Sequence, residues 1–210
     1  MKRPHFLLAG VLVWATYAAA GTIDTAFLEQ PWPGQRIRQT EVGKYALLWR
    51  QRLSRKEGLF FGARFTAPTD PQTTWNLATA DYGELGKTAP GVTAVRYLED
   101  TPERQVIQID VKVLWRTLRL NFEVEREAPR LVRFRLTNPR LGEYRGVFLL
   151  SAPSGEFRST EPASTELELI TWLKPARPVP LGLLATAQRM VIFQGTKEFL
   201  QGCEAKYREE

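Results

Sequence analysis

Histidine is almost missing from this chain: its one copy, His5, lies among the first few residues. Cysteine is as scarce, with Cys203 alone, and methionine occurs only as Met1 and Met190. Without a histidine beyond residue 5, the rest of the chain cannot run Ser-His-Asp or Cys-His catalysis, nor build a histidine-containing zinc site. A single cysteine excludes an intramolecular disulfide. Cys203 falls in the closing helical segment and reads as a small buried apolar residue, not a nucleophile. The first apolar run, Phe6 to Tyr17, is short of the about 17–25 residues that a bilayer-spanning helix needs. There is no internal repeat, no low-complexity tract, no phosphate-cradling glycine loop and no metal-ligand spacing.

What the chain does have is enough apolar surface for one packed domain. It counts 210 residues, 43% of them hydrophobic and 11% aromatic, so global disorder is excluded. Residues 1–20 read as a signal peptide, with Lys2 and Arg3 ahead of the apolar run and Ala18-Ala19-Ala20 before a cut at Gly21. The expected address is the periplasm or the cell exterior. An uncleaved anchor is the other reading, but no stop-transfer flank follows. Cleavage takes the formal net charge from +6 to about +4. The basic residues alternate with apolar ones, as Arg116, Arg119, Arg133 and Arg135 do, which is the pattern of a solvated sheet face and not of a nucleic-acid footprint. Weak attraction to anionic membrane headgroups is the partner that this balance allows.

Residues 21–57 form a leader of uncertain structure, with Phe27, Leu28 and Trp32 available to pack on a domain spanning 58–210. Tyr45 to Leu53 suits a strand or a short helix, because its apolar residues are contiguous. Leu59 to Thr66 predicts a strand. Asp70-Pro71 caps a short helix to Thr79, and Asp81 to Leu85 makes a second helical turn. Val92 to Leu98 opens a meander. Ile107, Ile109, Val111, Val113 and Trp115 then alternate with polar residues, as do Leu118, Leu120, Phe122 and Val124, and then Val132, Phe134 and Leu136. Tyr144 to Ser151 and Thr165 to Leu173 complete an antiparallel meander with one wet and one apolar face. From Pro180 to Tyr207 the spacing predicts one long helix. Its expected packing row is Leu184, Ala187, Val191, Gly195 and Phe199, with the helix closest to the sheet at Ala187 and Gly195. The fold class is therefore α+β: an antiparallel sheet of six to seven strands, two short helices and a long C-terminal helix across it.

Three stretches carry a resemblance. Phe65-Thr66-Ala67-Pro68 is followed by Trp75; Asp81-Tyr82 and Leu85 lead through Pro90-Gly91-Val92 to Tyr97-Leu98-Glu99; and Leu173-Lys174-Pro175 runs through Pro178-Val179-Pro180-Leu181 into the last helix. In this order they resemble the START-like (SRPBCC, Bet v 1-like) superfamily, closest to its coenzyme Q-binding, polyketide cyclase-like members. The chain departs from that pattern at Gly86-Lys87-Thr88-Ala89, and its leader has no counterpart. The resemblance covers about Gly58 to Tyr207 and implies a helix-grip fold holding a hydrophobic small molecule or lipid between sheet and closing helix.

A pocket of that kind would be walled by the inward rows: Ile107, Ile109, Val111 and Val113; Leu120 and Phe122; Phe134 and Leu136; Phe148, Leu150 and Leu169. Trp75, Tyr82, Leu85 and Tyr97 would stand near its mouth, and Met190 and Phe193 would reach in from the helix. Asp110 falls on the outer face, solvated or paired. No nucleophile–base pair emerges, and neither a cofactor nor a metal site is expected. The leading expectation is a monomeric carrier. The alternative is an interaction domain whose core is filled by these same residues. A cyclase- or dehydratase-like enzyme ranks third.

Overall fold

The computed structural model describes residues 22–80, 91–113, 115–151 and 164–208. Nine strands join in one antiparallel sheet: β1 (Arg36–Val42), β2 (Tyr45–Ser54), β3 (Gly58–Ala67), β4 (Val92–Asp100), β5 (Arg104–Val113), β6 (Arg116–Glu127), β7 (Leu131–Leu136), β8 (Gly142–Ser151) and β9 (Thr165–Pro175). Three described helices accompany them: α1 (Ala26–Glu29), α2 (Pro71–Ala78) and α3 (Leu181–Tyr207). Spatially the sheet runs β1-β2-β3-β9-β8-β7-β6-β5-β4. The last strand therefore inserts beside the third and joins the opening hairpins to the meander.

The α+β helix-grip architecture is the one the pattern predicts, but the strand count is higher. The increase comes from residues 36–54. Tyr45–Ser54 resolves as a strand, because Leu47 and Trp49 turn inward against the core while Leu48 and Arg50 turn outward. Arg36–Val42 is a polar edge strand paired with it from Arg36↔Gln51 to Val42↔Tyr45. The second helical turn expected at 81–85, and the connector at 152–163, lie outside the described residues.

The two faces of the sheet are apolar in different ways. Phe61, Ala63, Phe65, Ile107, Val124, Val132 and Leu167 build the main core under α3. On the opposite face Leu28 and Trp32 cover Phe60, Leu131, Val147 and Ile170. The outer face is thus wet only in part, because the leader seats a second apolar cluster on it. Elsewhere it carries buried carboxylates held by arginines. Asp110 lies 2.8 Å from Arg96 and 3.0 Å from Arg119. Glu123 lies 2.9 Å from Arg104 and 2.5 Å from Arg135.

Helix α2 starts where Asp70 accepts hydrogen bonds from the backbone N–H groups of Gln72 and Thr73, with Pro71 in the first turn. A buried hydroxyl cluster fixes it to β9: Thr74 Oγ1 lies 2.8 Å from Thr69 Oγ1 and 3.2 Å from Thr165 Oγ1, which donates to the Thr69 carbonyl at 2.7 Å. This holds α2, and with it Ala78, beside the space under α3.

Helix α3 spans the expected residues but is rotated from the expected row. Its buried residues are Ala185, Ile192, Thr196, Leu200 and Cys203. Ala187 and Gly195 are exposed, Val191 is 72% exposed, and a Cβ built on Gly195 meets nothing within 4 Å. Close approach at Ala187 and Gly195 is therefore corrected. Phe193 anchors one flank on Trp49 and Phe61, and Phe199 anchors the other between Phe65 and Phe148.

Candidate functional site

Between α3 and the β5–β9 part of the sheet lies a cavity of about 430 Å³. Its wall follows from strand alternation, since every second residue of each strand faces it. Ile107 and Ile109 come from β5, Phe122 and Val124 from β6, and Val132 and Phe134 from β7. Tyr144 and Phe148 of β8, Leu169 of β9 and Phe65 of β3 complete the sheet side. Ala78 of α2 closes one flank, and from α3 the buried Ile192 and Thr196 and the half-buried Phe199 line the space together with the exposed Val191 and Gly195.

Among the described residues the lining carries two side-chain hydroxyls, those of Tyr144 and Thr196. The Tyr144 ring meets Phe122 at 6.3 Å edge-on and Phe134 at 5.7 Å, so it belongs to an aromatic wall. Burial pushes its hydroxyl pKa up, and hydrogen bonding with the Gln188 and Thr171 side chains offsets part of that rise. Gln188 Nε2 donates to Thr171 Oγ1 at 2.7 Å, and Thr171 Oγ1 donates to the Phe61 carbonyl at 3.3 Å. Gln188 Oε1 is buried and has no hydrogen-bond partner among the described residues. A small polar cluster therefore sits beside an otherwise hydrocarbon space. It can orient one hydroxyl or carbonyl of a ligand. The two hydroxyls offer neither a carboxylate nor an amine for acid–base work.

Six of the side chains expected from sequence line the cavity: Ile107, Ile109, Phe122, Phe134, Phe148 and Leu169. Trp75 and Leu150 are buried in the core, and Tyr97 packs against it. Val111, Leu120 and Leu136 are half-buried on the same strands, away from the lining. Phe193 is spent on Trp49 and Phe61. Met190 requires correction: it is 67% exposed and does not reach inward, because the helix turns that row toward solvent. Tyr82, Leu85 and the Val113 side chain lie outside the described residues. Asp110 lies on the outer face, held by Arg96 and Arg119 as a paired group.

Sequence reasoning missed Tyr144, Val124, Val132, Phe65, Ala78, Val191, Ile192, Gly195, Thr196 and Phe199 as lining residues. For most of them the signal was present. Tyr144 shares the two-residue period of Phe148, and Val124 and Val132 share those of Phe122 and Phe134. Thr196 was hidden because a threonine does not mark an inward helix position.

The chain matches no protein-family model and no curated protein sequence. Solved structures do resemble it. A STAR-related lipid transfer protein from Xanthomonas axonopodis superposes with a TM-score of 0.61 at 13% identity, covering 81% of this chain and 99% of that one. Human STARD10 gives a TM-score of 0.62 at 12% identity, over 86% of this chain and 76% of that one. The Zhui aromatase/cyclase from Streptomyces sp. R1128 gives 0.54 at 17% identity, over 70% and 94%. The overall fold is thus shared with these structures, and the chain carries the START-type helix-grip fold.

Proposed function

We propose that this protein binds and carries a hydrophobic small molecule in the cavity between sheet and α3. A lipid chain, a polyprenyl quinone or a molecule of similar character is the substrate class. The observation that carries this reading is the cavity itself: about 430 Å³ of space bounded by aliphatic and aromatic side chains. That volume falls within the range of roughly 300–1,000 Å³ common to small-molecule pockets. A core filled by the same residues, as an interaction domain would have, leaves no such space. The Tyr144–Thr171–Gln188 cluster favours a ligand with one polar group on a hydrocarbon body. The similar lipid-transfer and aromatase/cyclase structures support a hydrophobic ligand, and a lining without an acid–base pair among the described residues supports carriage over conversion. The signal-peptide pattern of residues 1–20 supports a periplasmic or secreted site of action.

Native mass spectrometry of protein purified without detergent tests the proposal. The expected spectrum shows a bound species whose mass is released on denaturation, or which appears after exposure to a total lipid extract. A chain that stays bare in both conditions sinks it.

A further inference from the structure

Several of the exposed large apolar side chains gather at one end of the sheet. Leu53 at the end of β2, Trp115 and Leu118 at the β5–β6 turn, Leu141 before β8, and Val179 and Leu183 at the start of α3 are all exposed. Antiparallel pairing places these segments at one end of the sheet: β2 ends there, β5 ends as β6 begins, β8 begins opposite the end of β9, and α3 departs from β9. The β5–β6 hairpin reaches furthest. It pairs as far as Val113↔Arg116, whereas β7 joins β6 only from Phe122 onward. Trp115, 80% exposed, therefore stands roughly 20 Å beyond β7 at the strand rise per residue.

The same end is cationic. Arg55 follows β2, Lys112 and Arg116 flank the hairpin tip, Arg140 sits in the β7–β8 turn, and Lys174 and Arg177 lie between β9 and α3. None of these makes an ion pair with a described residue, whereas Glu57 and Glu143 at this end are each held by an arginine, Arg52 and Arg145. Arg55, Lys174 and Arg177 also border a surface groove with Leu53, Val179 and Leu181. Tryptophan beside unpaired basic residues and bare aliphatic side chains is the composition that settles at a bilayer interface.

One row links this end to the cavity. Leu183, Ala187 and Val191 follow each other at one-turn spacing on the exposed side of α3, with Met190 beside them, and Val191 is already a lining residue. Ala187 and Val191 belong to the row that the spacing predicts as the packing face, yet both are exposed, as are Leu183 and Met190.

We propose that this end of the sheet, with Trp115 at its tip and the Leu183–Val191 row of α3 beside it, docks on the surface of an anionic phospholipid bilayer. The cations contact headgroup phosphates, Trp115 sits at the headgroup level, and the α3 row faces the acyl boundary next to the cavity. A free soluble partner would match the charge or the apolar row, but an anionic bilayer matches both at once. The docking surface stands independently of what the cavity holds.

The test uses the full chain with a polarity-sensitive NBD probe on a single introduced thiol, at Trp115→Cys, Leu183→Cys or Leu98→Cys. Cys203 is buried and does not compete for label. Leu98 is exposed but lies toward the opposite end of β4. With vesicles of phosphatidylcholine containing phosphatidylglycerol, emission at 115 and 183 is expected to brighten and shift to the blue, and emission at 98 to stay unchanged. High salt should reverse the change. Replacing Arg55, Lys174 and Arg177 with Glu should reduce vesicle binding by about fivefold or more per cation. The proposal is overturned if 115 and 183 do not respond, or if 98 responds equally. It is also overturned if phosphatidylcholine alone or a soluble polyanion gives the same change, or if the change follows protein concentration without vesicles, which would make a second copy the occupant. Cavity ligand content is read separately by native mass spectrometry, so failure of one proposal is distinguishable from failure of the other.

Discussion

The ring of Phe134 on β7 lies directly over the backbone of Gly146 on β8, so closely that a Cβ at 146 would sit 2.2 Å from the ring Cζ. Phe134 lines the cavity, and the absent side chain at 146 is what lets its ring lie back against the sheet. Gly146→Ala should push the ring into the ligand space. The expected outcome is a loss of stability of about 1–3 kcal/mol, the usual range for overpacking, together with reduced ligand content. Chemical denaturation and native mass spectrometry check the two effects, and an alanine variant unchanged in both would contradict the geometry.

Gly195 gives the opposite sign. It lies within α3, its Cβ would meet open space, and it borders the cavity. Gly195→Ala should raise stability by about 0.5–1 kcal/mol, because glycine pays an entropy cost inside a helix that alanine does not. Gly195→Trp should fold but hold less ligand, since the ring has only the cavity side and solvent to occupy. Thermal melts and ligand content measured on both variants separate the two effects.

Acid should weaken the fold through the outer-face carboxylates. For Glu123, burial acts to raise the pKa, but hydrogen bonds from Arg135 and Arg104 reverse this and leave it below the ordinary value of 4.5. A carboxyl whose folded pKa is depressed contributes stability above its unfolded value and loses it as the pH falls through the folded one. Glu123→Gln should thus cost about 1–3 kcal/mol at neutral pH, the range for a buried charged hydrogen bond. The gap between variant and parent should begin to close as the pH falls below the ordinary carboxyl value of 4.5, and vanish once the pH has passed below the depressed folded value, where the carboxyl is protonated in both folded and unfolded chains. Urea titrations across that window measure it; a gap constant with pH would rule out the carboxylate as its source.

Cys203 should be inert in the folded chain. Burial pushes its thiol up to about 11, with hydrogen bonding to Thr69 pulling the other way, and the side chain has no exposure. Thiol titration at mildly alkaline pH should show no reaction until denaturant is added, and a native-state reaction would place the residue at the surface.

Much of the fold was legible because β5, β6 and β7 alternate strictly, which assigns each side chain to a face without knowledge of the neighbours. Asp70-Pro71 and the Pro180 boundary were legible for the same local reason. Arg36–Val42 was not: an edge strand buries little, so nothing in Arg-Ile-Arg-Gln-Thr-Glu marks it. The rotation of α3 escaped because its inward row includes Thr196 and Cys203 while Leu183, Met190 and Val191 point out. Hydrophobic spacing finds the packing face only where the helix rests on atoms. Here one flank borders a hollow and another meets water, so the strongest apolar row and the buried row part company. The cavity shared this fate, because its lining and a solid core use the same residues.

The placement of β9 beside β3 has a consequence in time. Phe61 and Thr171 are register partners although they stand 110 positions apart, so the sheet cannot close until nearly the whole chain is made. During synthesis the opening hairpins emerge first and must keep the Phe60–Phe61 edge of β3 uncovered while six further strands are built. Folding dominated by such distant pairing is slow. This chain should therefore depend on holdase chaperones at the stage between the third strand and the ninth, and a β3 edge blocked against intermolecular pairing should improve its recovery from dilution.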